Sequence, residues 1–181
     1  ELLAIINKNH QAPKKLKEIP VGNEFPRLET PVTKVLISPY EAKQIYMTQL
    51  SNRGEKFDPM IEPSRQMYNE YFGGGMNSIV FQEMRESRGL AYSAWAGLNR
   101  PSYSKYPYLL QTQIATQNDK MIDAIKVFND IIDNMPESEA AFQLAKEALI
   151  ARLRTERITK SDIIWSYINA QDLGQNVDSR I

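Results

Sequence analysis

Three consecutive glycines, Gly73 to Gly75, break an otherwise helical pattern, and the residues from there to Tyr92 limit the possible folds more than any other stretch. Before the break, Pro63 and Ser64 open a helix that runs to Phe72. After it, Asn77 and Ser78 offer N-cap side chains, and Met76, Val80 and Met84 recur at four-residue spacing as one buried face. Gly89 stands where a left-handed residue ends a helix, and Leu90 can fold back on Met84 in the contact of a Schellman motif. The helix is therefore expected to stop near Arg88. A strand follows over 90–98, built from Ala91, Ser93, Ala94, Ala96 and Gly97 around Tyr92 and Trp95. Small strand residues let another backbone approach closely. A glycine triplet that cradled phosphate would follow a strand and lead to Lys-Ser/Thr, whereas Gly73 follows a helix and leads to Met76. The glycines read as a break between two helices.

The remaining chain supplies the elements around this unit. Residues 1–8 read as the end of a helix or strand whose apolar face needs a partner. Pro13, Pro20, Pro26, Pro31 and Pro39, with Lys8, Lys14, Lys15 and Lys17 among them, favour extended linker over packed core. Those lysines lack the interleaved aromatics of a nucleic-acid surface. Residues 32–37 and 44–50 alternate apolar and polar positions as two strands, joined by a turn at Pro39 to Glu41 into an antiparallel pair. In the second strand Ile45, Met47 and Gln49 share a face. Residues 99–107 form a long turn and 108–115 a further strand, a hairpin with 90–98. From Asp119 the period becomes helical, with Met121, Ile122, Ile125, Phe128 or Asn129, and Ile132 as the apolar stripe. Ser138 caps the next helix, which turns Phe142, Ala145, Leu149 and Leu153 inward. Thr159 or Ser161 caps a third, through Ile163, Ile164, Trp165 and Ile168 to Gly174. This order predicts an α+β fold with a mostly antiparallel sheet covered on one face by helices. The expected division is a linker or end of a preceding domain over 1–30, one domain over 31–175, and a tail over 176–181.

Composition narrows the chemistry. The 22 basic and 22 acidic side chains balance, so no global field draws in nucleic acid, an anionic membrane or an acidic substrate. There is no cysteine and one histidine, His10, in the lysine-rich segment. Neither a three-ligand zinc site nor a Ser-His-Asp triad can be assembled around it, and no metal is expected to be bound by this chain. No run approaches the roughly eighteen apolar residues of a membrane span, so none is expected. The start at Glu1, without methionine or a signal-peptide pattern, reads as a piece of something longer. Compartment stays open between periplasm and cytoplasm.

Two polar groups remain, Arg85 in the last turn of the helix and Tyr92 in the following strand. A structural account serves both: a cation there meets the helix macrodipole, and a strand tyrosine packs half-buried. The run GGGMNSIVFQEMRESRGLAYS, however, resembles a segment of the non-metal domains of the insulinase/pitrilysin family of zinc metallopeptidases, whose pattern ends R-E-x-x-G-L-x-Y. The resemblance extends loosely over about residues 33–172, and its specificity lies in 73–92. It implies the fold of that family's domains, related to mitochondrial processing peptidase, and a function as the substrate-clamping domain of a zinc endopeptidase. By the resemblance Arg85 and Tyr92 are the catalytic and substrate-binding residues. Zinc is held elsewhere, by an HxxEH motif this chain lacks, so the chain alone is expected to be inactive. The implied partners are a peptide or protein substrate and other domains of the same chain or a zinc-bearing partner subunit. The same fold also occurs in non-catalytic scaffold subunits, and an HxxEH motif in the rest of the protein or a partner separates the two readings.

Overall fold

A computed structural model describes residues 1–10, 15, 17–18, 20–23 and 25–176; Pro13 and Lys14 of the expected linker, and residues 177–181 of the tail, lie outside the described residues. Three antiparallel strands lie in the order β1-β3-β2, with β1 at Gln44–Ser51, β2 at Ser93–Asn99 and β3 at Leu109–Gln117. The register sets Met47 opposite Ile114 and Ile114 opposite Ala94, and likewise Gln49, Thr112 and Ala96. Because strand side chains alternate, these residues share one face. That face is the covered one: Ala94, Ala96, Thr112, Ile114 and Thr116 are buried, whereas Tyr46 and Leu50 on the other face are exposed.

The cover consists of α2 (Glu62–Phe72), the short α3 (Ile79–Phe81) with its continuation, and α4 (Met121–Asp133). They bring Phe72, Val80, Met84 and Phe128 onto Ile114 in one apolar cluster. Each such side chain contributes roughly 1.5–3 kcal/mol when fully buried. The fold is thus the α+β arrangement expected, an antiparallel sheet with helices on one face. On the outer side of α2 lies α5 (Glu139–Thr155), capped by the Ser138 hydroxyl, which accepts from Ala141 N at 3.3 Å. Tyr71 joins the two, its ring edge-on to Phe142 and its hydroxyl donating to Pro136 O at 2.7 Å. α6 (Ser161–Leu173) follows and ends at Gly174, whose φ of 66° is the left-handed C-terminal stop expected there. α1 (Leu2–Asn9) stands at the other end of the chain and buries none of its residues.

Several expectations need correction. Residues 32–37 form no strand, and Val35, Leu36 and Ile37 are exposed. Thr30 and the end of β1 do meet: Thr30 N donates to Asn52 O at 3.0 Å, and Asn52 N to the Thr30 hydroxyl at 2.8 Å. The ladder goes no further, because Pro31 has no N–H to extend it and the connection through Pro39 is not a tight hairpin turn. β1 pairs instead with β3. In the helices, Ile122 is exposed and the buried positions of α4 are Ala124, Phe128 and Ile131. The stripe is rotated because α4 leans on the sheet through Phe128. Phe142 lies at the margin of the α2–α5 contact and is partly exposed, as are Ile163, Ile164, Trp165 and Ile168 of α6. α6 buries Ala170 and Leu173 instead, since it meets the rest through its last turns, where Ser104 N donates to Asp172 O at 3.1 Å. Its N-cap is Lys160 at φ 41°, with no side-chain cap bond. The Thr159 hydroxyl is turned to the Asp162 carboxylate at 3.3 Å.

Candidate functional site

The site grows from the break after α2. Gly73 closes against β2 so tightly that a Cβ would collide with the Ala96 backbone nitrogen and oxygen. This is the close backbone approach expected from the small residues of that strand. Next to it, the Asn69 side chain serves as a substitute strand: its amide donates to Leu98 O at 3.1 Å and accepts from Leu98 N at 2.8 Å. The chain then turns, and of the two possible caps Ser78 is the one used. Its hydroxyl donates to Gly75 O at 2.6 Å and accepts from Phe81 N at 3.4 Å. Val80 and Met84 are fully buried, but Met76, expected on the same face, is 73% exposed because it precedes the cap and belongs to the turn.

Beyond Phe81 the helix widens into a π-helical segment, Gln82–Ser87, where a plain α-helix was expected. Such segments are rare and recur at functional sites. The widening carries through to the stop at Gly89, φ 57°, where Leu90 N and Ala91 N both donate to Met84 O, at 2.8 and 3.2 Å. The bond from Leu90 spans one residue more than a Schellman closure. The exit is pinned from the far side by β3 and its continuation. The Thr116 hydroxyl donates to Leu90 O, Tyr92 N to Ala115 O at 2.8 Å, and Lys120 Nζ to Gly89 O at 3.1 Å.

This scaffold brings the two expected residues together. The Arg85 guanidinium carbon stands 5.7 Å from the centre of the Tyr92 ring. It also stands 5.1 Å from the centre of the Phe81 ring. The Glu86 carboxylate reaches Arg85 Nε at 3.5 Å, an exposed pair that screening leaves weak. Tyr92 is 69% exposed, so both a planar cationic donor and a phenol face solvent from one turn of chain. Phe81 was not foreseen as a partner, although its i, i+4 spacing to Arg85 was a usable signal. Thr116 and Lys120 left no local signal, since each acts across a distance in sequence that only pairing reveals. No three His, Cys, Asp or Glu side chains come together as a metal site among the described residues. His10, beside α1, is exposed. These residues do not fit a resident zinc ion.

No helix of the described residues is long and apolar enough to cross a membrane. The fold has a solved counterpart in the crystal structure of a peptidase M16 inactive domain from Pseudomonas fluorescens. The TM-score is 0.56 at 18% identity, over 76% of this chain and 32% of that one. That likeness establishes the fold alone. In sequence, the chain is 34% identical over 80 residues to uncharacterized zinc proteases of Mycobacterium bovis and Mycobacterium tuberculosis. The shared segment is 42% of this chain and 18% of each relative, so it spans less than a fifth of those proteins. The description "peptidase M16 inactive domain" matches residues 2–149. With the match running from α1 into α5 and through the whole Arg85–Tyr92 turn, the chain belongs to the peptidase M16 inactive domain family.

Proposed function

We propose that this domain clamps substrate for a zinc-dependent endopeptidase, and that Arg85 and Tyr92 complete a peptide-hydrolysis site whose zinc ligands lie in another domain or subunit. The observation that supports this reading most is the pairing of the two side chains, a guanidinium against a phenol at 5.7 Å, on an exposed turn fastened by bonds to β3 and Lys120. During attack on a peptide bond, negative charge develops on the carbonyl oxygen. A preorganised donor aimed at that oxygen is worth about 3–4 kcal/mol when water is excluded. Donors left in water give far less, because water competes for the same acceptor. With Tyr92 69% exposed, the turn becomes an effective site only when another domain closes over it. The chain by itself would therefore cleave no peptide.

In the complete zinc-bearing protein, Tyr92→Phe is expected to lower kcat/KM severalfold with zinc content unchanged. Arg85→Lys should also lower it, since lysine lacks the planar fork of donors. Steady-state kinetics with a fluorogenic peptide, alongside metal analysis, check both. Unaltered kcat/KM in the two variants would leave a scaffold domain of the same fold as the better account.

A further inference from the structure

We propose that Phe81 is the positioning residue for Arg85: its ring and that of Tyr92 fix the guanidinium by its faces and leave the terminal nitrogens free to meet a substrate carbonyl. This rests on the peptidase reading above. The cation lies within reach of two rings, 5.1 Å from the centre of Phe81 and 5.7 Å from that of Tyr92, inside the range where the ring quadrupole attracts it. The two rings are not equivalent. Tyr92 is 69% exposed and is itself offered to substrate, whereas Phe81 is half-buried and sits on the helix that carries Arg85. Only Phe81 can act as a platform fixed in the same frame as the arginine backbone.

The other contact of Arg85 cannot do this. Glu86 approaches Nε at 3.5 Å with both side chains about half exposed, and such pairs contribute little and are screened by salt. Among the described residues no acceptor is bonded to the two terminal nitrogens of Arg85. Contact with the ring faces has a chemical advantage over an ion pair, because it restricts the plane of the guanidinium without using its donors. The π-helical segment starts at Gln82, directly after Phe81, so the register between platform and arginine is set within that widened turn.

The test separates this role from general structure. Phe81→Leu keeps apolar volume and removes the π face, and Phe81→Tyr restores the face. In the complete zinc-bearing protein, Phe81→Leu is expected to lower kcat/KM about fivefold, the size of a partly exposed cation–π contact, and Phe81→Tyr to recover it. In an Arg85→Ala background, Phe81→Leu should have no further effect, because the residue acts through the arginine. An equal loss in both backgrounds would overturn the proposal. An activity-independent measurement on this chain decides it as well. Ring currents should shift the Arg85 side-chain protons upfield in the NMR spectrum, with much of the shift lost in Phe81→Leu and kept in Phe81→Tyr. An Arg85 signal indifferent to Phe81→Leu would overturn the role of Phe81. Intact activity in Arg85→Ala would remove the peptidase reading instead, with the NMR result still deciding where the guanidinium is held.

Discussion

At Gly73 the absence of one carbon atom allows α2 to end against the backbone of β2. The Ala96 nitrogen and oxygen occupy the space a Cβ would take, and backbone cannot rotate aside as a flexible side chain could. Gly73→Ala is therefore expected to destabilise the domain by about 1–3 kcal/mol, the usual cost of overpacking, seen as a lower midpoint in urea unfolding. Its neighbour Gly75 has open space at the same position and should tolerate alanine. The run of small residues in β2 already announced a close approach, but the sequence did not say to what. Arg85 and Tyr92 were legible in the same partial way. Their separation along the chain was plain, while the Phe81 ring beside the guanidinium depended on how far the helix winds between them.

Among the elements, the helix that carries Arg85 shows best how local rules and packing divide the work. Its start is local: Ser78 is 1% exposed and bonds both Gly75 O and Phe81 N. Ser78→Ala should cost about 1 kcal/mol, typical of a lost N-cap, measurable as a shift in chemical unfolding. Its stop is local too, since Gly89 adopts the left-handed conformation that glycine tolerates best. Its middle is not. Val80 and Met84 must both reach the core while Leu90 and Ala91 close on Met84 O, and the π-helical widening meets these demands at once. No four-residue periodicity encodes that. β1 shows the opposite failure, for its strand pattern was correct and its partner was not. Asn52 ties it to residues 27–30, and the apolar stretch at 32–37 stays outside the sheet.

Across the molecule, one buried polar cluster fastens the start of α2 to one end of the sheet, at Leu98 in β2 and at Tyr108 just before β3. Arg65 forks onto Glu62 with two 2.9 Å bonds and donates a third to Leu98 O at 3.0 Å. Tyr108 donates to Glu62 at 2.9 Å and accepts from Asp58 N at 3.3 Å. Burial, aided by the neighbouring Glu62 carboxylate, pushes the Tyr108 hydroxyl up to about 12 from its ordinary 10.0. Burial raises Tyr68 to about 12 as well. A group whose folded value is raised gives stability that is complete below its unfolded value and is lost as pH climbs through the folded one. Stability should thus fall between pH 10 and 12 as the unfolded chain ionises first. Tyr108→Phe should flatten part of that slope, as read from urea midpoints across the alkaline range. It should also lower stability at neutral pH, because Glu62 loses a donor.

What the sequence determined by itself was whatever one stretch of chain can settle alone. The helix caps at Ser78 and Ser138 and the left-handed stops at Gly89 and Gly174 follow from bonds between near neighbours, and the β2–β3 hairpin and the α+β order from the succession of adjacent elements along the chain. Tertiary structure decided the rest. It chose β3 as the partner of β1, widened the helix after Phe81, left Met76 exposed and brought the Arg85 guanidinium within reach of two rings. The physical reason is the same in each case. Hydrogen-bond caps and backbone conformations act within a few residues, whereas strand pairing and core packing are won by surfaces that meet only after the chain has closed on itself.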